Sequence, residues 1–242
     1  MKIKYCRLIV QYRNIKKEAI WCISSSKYVN EMFIDLIERG VDANNIVVPQ
    51  YGLAIASRGN QYFDMFPPED EEVFIDCGAF KGDTIDAFQG WTNGKFKKIY
   101  SLEPSKRNFN QLASKYKSDA RIILINAAVW NKAGKISVNE HEAGTTVGSK
   151  GNEFIDSIDI DSLGIKEKVS YIKMDIEGSE MHAIIGGKET IQRCRPKLAI
   201  CVYHKPEDII DIPSQILKWR DDYKLSLRHY CSYWWETVLY AF

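Results

Sequence analysis

The chain has 242 residues, of which 45% are hydrophobic and 12% aromatic, so it can bury a large core and is not intrinsically disordered. Its 33 basic and 32 acidic residues leave a formal net charge of +1, which excludes a global attraction to nucleic acid or anionic lipid. We expect no membrane span and no signal peptide. Six scattered cysteines without a Cys-x-x-Cys spacing indicate reduced packing thiols, so we expect a cytoplasmic protein.

Residues 1–65 are predicted to form a small N-terminal α/β unit, a cap or partial domain. Short strands are expected at Ala19–Ile23 and Asn45–Pro49, and the apolar spacing of Tyr28–Glu38 predicts a helix that Gly40 ends. The pair Pro67-Pro68 and the acidic run after it mark a boundary, so the main domain is expected at residues 66–242.

From Val73 onwards, strands and helices alternate, which predicts a mostly parallel sheet with helices on both faces. Strands are expected at 73–77, 98–102, 121–126, 169–175 and 197–203, with helices at 83–89, 105–117, 179–193 and 207–220. A β-rich insert is expected at 135–139 and 153–160, and a C-terminal antiparallel hairpin at 223–229 and 235–240.

A glycine-bearing turn follows the first of these strands. Residues 76–82 read Asp-Cys-Gly-Ala-Phe-Lys-Gly, and Glu103 ends the next strand about 20 residues later, where an acid can accept hydrogen bonds from both ribose hydroxyls. The spacing Gly78-x-x-x-Gly82 puts Phe80 where a dinucleotide fold has its second glycine, which disfavours NAD and FAD. S-adenosylmethionine carries no phosphate and is compatible with this spacing.

A second group of acids follows the strand at 169–175. Asp175 and Glu177 are expected at the carboxyl edge of the sheet, where they could bind the cofactor, a substrate hydroxyl or a divalent cation. Glu180 is expected to complement the dipole of the next helix. Lys173, inside the strand, needs an acidic partner if it is buried.

The chain resembles the FkbM family of methyltransferases from about Tyr62 to its C-terminus. The block Lys-x-Asp-x-Glu-Gly-x-Glu is the most specific part of the resemblance. The matching segments are Val73–Thr84, Tyr100–Pro104, Asn126–Val129 followed by Gly134, Ile172–Glu180, Leu227–Tyr230 and Glu236–Tyr240.

The resemblance implies an α/β Rossmann-like fold of class I methyltransferases, with a mostly parallel seven-stranded sheet and a C-terminal antiparallel hairpin. It implies S-adenosylmethionine as cofactor and O-methylation of a hydroxyl on a sugar, glycan or secondary-metabolite acceptor. The alternatives are a non-catalytic nucleoside-binding module, a methyltransferase acting on protein or nucleic acid, and an NAD-dependent oxidoreductase. The near-neutral charge and the absence of an Asn/Asp-Pro-Pro-Tyr motif argue against a nucleic-acid acceptor.

The expected cofactor contacts divide along the ligand. The turn residues should line its methionine side, with Asp76 orienting the turn or accepting from the amino group, and Glu103 should hold the ribose. The strand end at Asn126 should lie along the adenine. The full set of expected cofactor-binding residues is Asp76, Gly78, Ala79, Phe80, Gly82, Thr84, Glu103, Pro104, Asn126, Ala127, Ala128 and Asp175.

A protonated sugar hydroxyl is a poor nucleophile, so a general base or a metal is useful. His204 is the first candidate for the base because it follows the strand at 197–203, and Asp175 and Glu177 complete the expected catalytic group. His229 is the second candidate. His182 and His141 are expected at the surface.

A divalent cation, Mg²⁺ or Mn²⁺, is the open alternative to a base alone. If present, it is expected on Asp175, Glu177 and His204. The small polar segment Glu142–Gly148 is expected to be either a mobile cover or an ordinary hairpin loop. The pair Trp234-Trp235 is expected either to stack on a sugar or to pack in the core. The oligomeric state is left open.

Overall fold

The computed structural model describes residues 21–22, 37–42, 46–47, 61–141, 144–147, 153–230 and 236–242. The chain divides into two compact units, one comprising Met1–Arg58 with His229–Thr237 and the other Gly59–Arg228 with Val238–Phe242. In the smaller unit, β1 (Trp21–Cys22) pairs in parallel with β2 (Ile46–Val47). The predicted domain division at residue 65 stays a prediction.

The larger unit is built on a seven-stranded sheet. Its strands are β3 (Glu72–Cys77), β4 (Phe96–Leu102), β5 (Ile122–Ile125), β10 (Tyr171–Met174), β11 (Lys197–Cys201), β12 (Leu225–His229) and β13 (Thr237–Ala241). Their order in the sheet is β12-β13-β11-β10-β3-β4-β5. Neighbouring strands from β11 to β5 run in parallel, and β13 is antiparallel to β11.

The final strands close the sheet as an antiparallel pair. Lys224 and Phe242 exchange backbone hydrogen bonds of 2.7 and 3.0 Å, which is the pattern of directly opposed antiparallel residues. The predicted seven-stranded, mostly parallel sheet with a terminal hairpin is therefore confirmed. Trp234 and Trp235 lie outside the described residues.

The helices connect the parallel strands: α1 (Asp83–Trp91), α2 (Lys106–Tyr116), α3 (Glu180–Gly186), α4 (Lys188–Cys194) and α5 (Asp208–Trp219). The single helix predicted at 179–193 was wrong, because the chain leaves helical geometry at Gly187, with φ −113° and ψ 13°. Gly186 allows a close approach there, since a Cβ on it would lie 2.2 Å from the carbonyl oxygen of Trp130.

The insert forms a separate four-stranded sheet of β6 (Ala128–Val129), β7 (Gly134–His141), β8 (Gly144–Val147) and β9 (Glu153–Ile158). Their order in the sheet is β6-β9-β7-β8. The expected loop at 142–148 was wrong in its centre, since that stretch contains β8, which pairs antiparallel with β7. Residues 142, 143 and 148 lie outside the described part of the chain.

The core surrounds the central strands of the large sheet. Every residue of β3 and β10 is buried, as expected for parallel strands covered on both faces. Cys77 and Cys201 are fully buried free thiols in β3 and β11, in the packing role predicted for them. Among the described residues, no helix has the length and apolar character required to cross a membrane.

Candidate active site

A cavity opens at the carboxyl edge of the large sheet, where the strand order reverses. From β3 the chain proceeds outward to β4 and β5, whereas β10 lies on the other side of β3. Ligands of open α/β sheets bind at such a reversal. The described residues that line the cavity are Tyr62, Gly78, Phe80, Asp83, Thr84, Leu102, Glu103, Pro104, Asn108, Ala128, Val129, Lys173, Asp175, Ile176, Glu177 and Ser179.

The turn after β3 requires glycine at its first bend. Gly78 has φ +84°, and a Cβ on it would lie 2.1 Å from the backbone oxygen of Asp175. Its N–H donates to the carbonyl oxygen of Leu102 over 3.0 Å. Phe80 also has positive φ, at +47°, and its N–H donates to Oε2 of Glu103 over 2.8 Å. The backbone of the turn is therefore hydrogen-bonded directly to the end of β4.

Glu103 is only 5% exposed and lies where β4 enters the cavity. Oε1 accepts the N–H of Ser105 over 2.9 Å and lies 3.5 Å from the side-chain amide of Asn108. Burial raises the pKa of Glu103, and these hydrogen bonds oppose the rise. Each carboxylate oxygen has two lone pairs, and three of the four accept from Phe80, Ser105 and Asn108, so Glu103 retains capacity for one further donor from the cavity.

Several residues predicted to bind the cofactor line the cavity. They are Gly78, Phe80, Thr84, Glu103, Pro104, Ala128 and Asp175. Their assignment to particular parts of a ligand stays a prediction.

The other predicted cofactor residues, Asp76, Ala79, Gly82, Asn126 and Ala127, are not among the residues lining the cavity. A Cβ on Gly82 would lie 2.6 Å from Oη of Tyr116, so the absence of a side chain at Gly82 allows α2 to pack against the turn. Asn126 donates to the carbonyl oxygens of Glu103 and Pro104 over 2.8 and 3.0 Å, which fixes the end of β4. Gly82 and Asn126 therefore hold neighbouring elements in place without lining the cavity.

A buried ion pair lies beneath the turn. Nζ of Lys173 is 3.3 Å from Oδ1 of Asp76 and donates to the carbonyl oxygen of Gly78 over 2.7 Å. Burial raises the pKa of Asp76 to about 6 although Lys173 opposes this rise. Burial alone would lower the pKa of Lys173, but the carboxylates of Asp76 and Asp175 raise it overall. The acidic partner expected for Lys173 is therefore Asp76, from the neighbouring strand.

Asp175 directly follows β10 and is held by two tyrosines. Tyr62 donates to Oδ2 over 2.9 Å, and Tyr203 donates to Oδ1 over 3.2 Å. Burial raises the pKa of Asp175, but Lys173, His204 and Tyr62 together hold it below its usual value. Neither tyrosine was predicted for the site. Tyr62 is 113 residues away from Asp175 in the chain, so the residue spacing around Asp175 could not predict this contact.

His204 is surrounded by three carboxylates. Its Nε2 lies 3.5 Å from Oδ1 of Asp175 and 3.7 Å from Oε2 of Glu177, and its Nδ1 lies 2.9 Å from Oε1 of Glu180. Burial lowers the pKa of His204, but Glu180, Asp175 and Glu177 raise it overall. The predicted catalytic residues Asp175, Glu177 and His204 are thus brought together. Asp175 and Glu177 line the cavity, whereas His204, which contacts both, is not among the described lining residues.

The same cluster contains a set of atoms with the spacing of metal ligands. One ligand atom each from Asp175, Glu180 and His204 lie within 4.8 Å of one another. The sequence predicted Glu177 in this set, whereas the structure places the buried Glu180 there. Glu180 was expected only to complement the helix dipole, but its side chain also contacts His204.

The remaining histidines lie elsewhere. His229 has Nδ1 2.9 Å from Oγ1 of Thr237, in the smaller unit. His182 stacks on Trp130 with ring centroids 3.7 Å apart, and burial lowers its pKa. The side chain of His141 lies outside the described part. Neither His229 nor His182 is among the described residues that line the cavity.

The strand order, the terminal antiparallel hairpin and the cavity at the strand reversal define the fold of class I methyltransferases. A model of the methyltransferase FkbM domain matches residues 76–225, more than half of the chain. The protein belongs to this FkbM methyltransferase family. The predicted resemblance is thereby confirmed.

Among solved structures, the methyltransferase FkbM from Methylobacillus flagellatus KT is 31% identical, with a TM-score of 0.64. The match covers 74% of the present chain and 45% of that protein, so the chain spans less than half of its relative's length. Aeropyrum pernix fibrillarin in complex with S-adenosyl-L-methionine matches at 12% identity, covering 75% and 71% of the two chains, with a TM-score of 0.47.

Methanococcus jannaschii fibrillarin, a pre-rRNA processing protein, matches at 15% identity, covering 75% of this chain and 70% of that one, with a TM-score of 0.44. No curated protein matches the chain significantly.

Proposed function

We propose that the protein is an S-adenosylmethionine-dependent methyltransferase that O-methylates a hydroxyl of a glycan, sugar or secondary-metabolite acceptor. The observation that carries this proposal is the junction of the glycine turn with Glu103. The turn brings backbone to the cavity without a Cβ at Gly78, and Glu103 presents a carboxylate at the end of the adjacent strand. That pairing suits a nucleoside whose ribose carries a free hydroxyl.

The charge of the cavity supports this cofactor. Its lining contains four carboxylates, from Asp83, Glu103, Asp175 and Glu177, and one ammonium group, from Lys173. S-adenosylmethionine carries a sulfonium and an ammonium cation, which an acidic cavity attracts. A dinucleotide pyrophosphate would meet the same carboxylates with like charge, and so would a nucleic-acid backbone. A neutral hydroxylated acceptor is therefore favoured over a phosphorylated one.

Methyl transfer needs alignment and the removal of one proton. The acceptor oxygen attacks the methyl carbon in line with the sulfur, the carbon–sulfur bond breaks, and its electron pair stays on sulfur as the neutral thioether. Alignment of the two reactants is worth about 7–11 kcal/mol. The hydroxyl proton passes to Nε2 of His204, where Asp175 and Glu177 stabilise the resulting imidazolium. General base catalysis of this kind contributes about 10²–10⁴-fold.

The transfer described here needs no divalent cation. Mg²⁺ or Mn²⁺ on Asp175, Glu180 and His204 is the second arrangement that the described ligand atoms favour. It predicts that a chelator abolishes transfer and that Mn²⁺ restores it.

The test begins with calorimetric titration of S-adenosylmethionine, S-adenosylhomocysteine and NAD into the wild type and Glu103→Gln. It continues with transfer of labelled methyl groups to neutral glycans, hydroxylated metabolites, RNA and protein, with and without chelator. We expect binding of both adenosyl compounds, weakened in the variant, and labelling of a neutral hydroxylated acceptor.

Binding of NAD alone would contradict the proposal in favour of an oxidoreductase. Adenosyl binding without transfer to any acceptor class would favour a non-catalytic binding module. Labelling of RNA or protein alone would replace the proposed acceptor class but retain the cofactor.

A further inference from the structure

The backbone of Tyr62 has a conformation that is strained for a residue of this size. Its φ is +76°, in the left-handed region that bulky side chains rarely adopt. Glycine would adopt the same bend without strain, so the bend by itself does not require a tyrosine. Strain of this kind persists only where the surrounding structure enforces it, and such positions cluster at functional sites. The side chain of Tyr62 is therefore the part that can account for the strain.

Two buried tyrosines enforce this conformation. The N–H of Tyr62 donates to Oη of Tyr240 over 3.0 Å, and Oη of Tyr171 donates to the carbonyl oxygen of Tyr62. Both partners are fully buried, Tyr171 in β10 and Tyr240 in β13. The next residue, Phe63, is also buried, and its ring centroid lies 5.7 Å from that of Phe74. A change in φ at Tyr62 would separate hydrogen-bonded groups that have no access to water, which is unfavourable.

The phenol of Tyr62 lines the cavity and divides the partners of Asp175. Oη of Tyr62 donates to Oδ2 of Asp175 over 2.9 Å and accepts from Nε2 of Gln61 over 3.2 Å. The other carboxylate oxygen, Oδ1, accepts from Oη of Tyr203 over 3.2 Å and lies 3.5 Å from Nε2 of His204. Because Tyr62 holds Oδ2, the carboxylate cannot rotate without losing that bond. Tyr62 therefore keeps Oδ1 on the side of His204.

We propose that Tyr62 is a positioning residue for methyl transfer, and that Tyr171 and Tyr240 act on the site through its backbone. The two buried hydroxyls hold Tyr62 in the left-handed conformation, which directs its phenol to Asp175 and fixes the orientation of that carboxylate. Tyr62 lies before the segment 76–225 that matches the methyltransferase FkbM domain, so this wall of the cavity is supplied from outside that segment.

The catalytic part of the inference rests on the proposed function. The enforced backbone conformation and the hydrogen bond to Asp175 do not depend on any acceptor.

The first test compares Tyr62→Gly with Tyr62→Ala by urea unfolding. Both variants lack the phenol, and only glycine adopts a positive φ without strain, so we expect the higher urea midpoint for Tyr62→Gly. Tyr223 is the matched site, because it is also buried and is not among the described residues with positive φ. There the alanine variant should be the more stable one. An alanine variant at position 62 that is at least as stable as the glycine variant would overturn the proposal.

The kinetic test uses Tyr62→Phe, which retains the ring and removes the donor to Asp175. We expect kcat to fall about tenfold, with the KM for S-adenosylmethionine changed less than about twofold. Tyr240→Phe should lower kcat about threefold, although Tyr240 is not among the described residues that line the cavity. The control Tyr223→Phe removes a buried phenol that donates to Pro196 over 2.8 Å, and it should leave kcat unchanged.

These rates are measured with labelled S-adenosylmethionine and the neutral glycan or hydroxylated metabolite that the wild type methylates. Wild-type kcat in either Tyr62→Phe or Tyr240→Phe would refute the positioning role, as would an equal loss in Tyr223→Phe.

A double-mutant cycle between Tyr62→Phe and Asp175→Ala tests the contact itself. Tyr62→Phe should lower the urea midpoint of the wild type, but it should cause a smaller loss or none in Asp175→Ala, where the acceptor is absent. Equal losses in both backgrounds would contradict the proposal. The expected order at position 62 together with this coupling, but without methyl transfer to any acceptor class, would support the hold of Tyr62 on Asp175 and refute the proposed function.

Discussion

The two sides of the cavity are built in different ways. On the β3–β4 side, backbone groups make the contacts: Gly78 donates to Leu102, and Phe80 donates to Glu103. On the β10–β11 side, side chains make them, and Asp175 is held by Tyr62 and Tyr203.

A backbone-built side can change little without losing its geometry. A side built from charged and hydroxyl side chains can change by substitution. We therefore expect the first side to bind an invariant cofactor and the second a particular acceptor.

The largest expected effect comes from Gly78→Ala, which breaks the backbone-built side. The new Cβ would lie 2.1 Å from the carbonyl oxygen of Asp175 at φ +84°, so both overlap and backbone strain oppose it. We expect a loss of roughly 4 kcal/mol in the free energy of unfolding and loss of detectable S-adenosylhomocysteine binding. Chemical denaturation measures the free energy of unfolding, and calorimetry measures the binding of S-adenosylhomocysteine.

Gly94→Ala is the matched control. Gly94 has φ +71°, but no atom lies within 4 Å of a Cβ built on it. The Gly94→Ala protein should therefore lose only about 1 kcal/mol of unfolding free energy, from backbone strain, and should retain S-adenosylhomocysteine binding. Equal effects at the two glycines would refute the close approach as the cause.

Lys173→Met tests the ion pair beneath the turn. It leaves Asp76 buried without its cation and removes the donor to the carbonyl oxygen of Gly78. We expect a destabilisation of about 3 kcal/mol, at the low end for a broken buried pair because Asp76, with a pKa of about 6, can take up a proton.

Lys115→Met is the control, because Lys115 forms an exposed pair with Asp86 and should cost less than about 1 kcal/mol. Urea unfolding measures both variants. A Lys173→Met protein as stable as the control would show that the pair is not needed.

His204→Gln tests the side-chain-built side. We expect kcat to fall about 100-fold with S-adenosylhomocysteine binding retained, since His204 is not among the described residues that line the cavity. Only neutral His204 can accept a proton, and the surrounding carboxylates raise its pKa above 6.5 in spite of burial. Wild-type kcat should therefore increase as the pH rises through that raised pKa.

The pH profile of kcat for wild type and variant provides the check. A wild-type profile that declines with rising pH would argue against His204 as the base, as would an unchanged profile in the variant.

Glu103→Gln is expected to have the smallest effect of the four. It replaces a charged acceptor of ribose hydroxyls by a neutral one, so the Kd for S-adenosylhomocysteine should increase about 30-fold, or about 2 kcal/mol. The exposed Glu69→Gln should leave the Kd unchanged. Calorimetry under matched buffer conditions measures both values, and equal affinities in Glu103→Gln and wild type would remove Glu103 from the ribose site.

The sheet and the backbone-built side of the site were predictable from local sequence signals. Alternating strands and helices predicted the parallel order, and a glycine turn followed by Glu103 marked the cavity, because these signals lie within about 30 residues of one another. The sequence also located Asp175, Glu177 and His204, since the carboxyl ends of parallel strands meet at one edge.

The partners of those acids could not be predicted from the sequence, because they come from distant segments of the chain. Tyr62 reaches Asp175 from 113 residues away, Lys173 pairs with Asp76 on the neighbouring strand, and Glu180 turns inward to His204 instead of remaining at a helix end. Local periodicity carries no information on such pairs, because register and packing between distant segments bring them together. The break at Gly187 and the strand β8 were missed for the same reason, since packing against Trp130 and pairing with β7 override local preference.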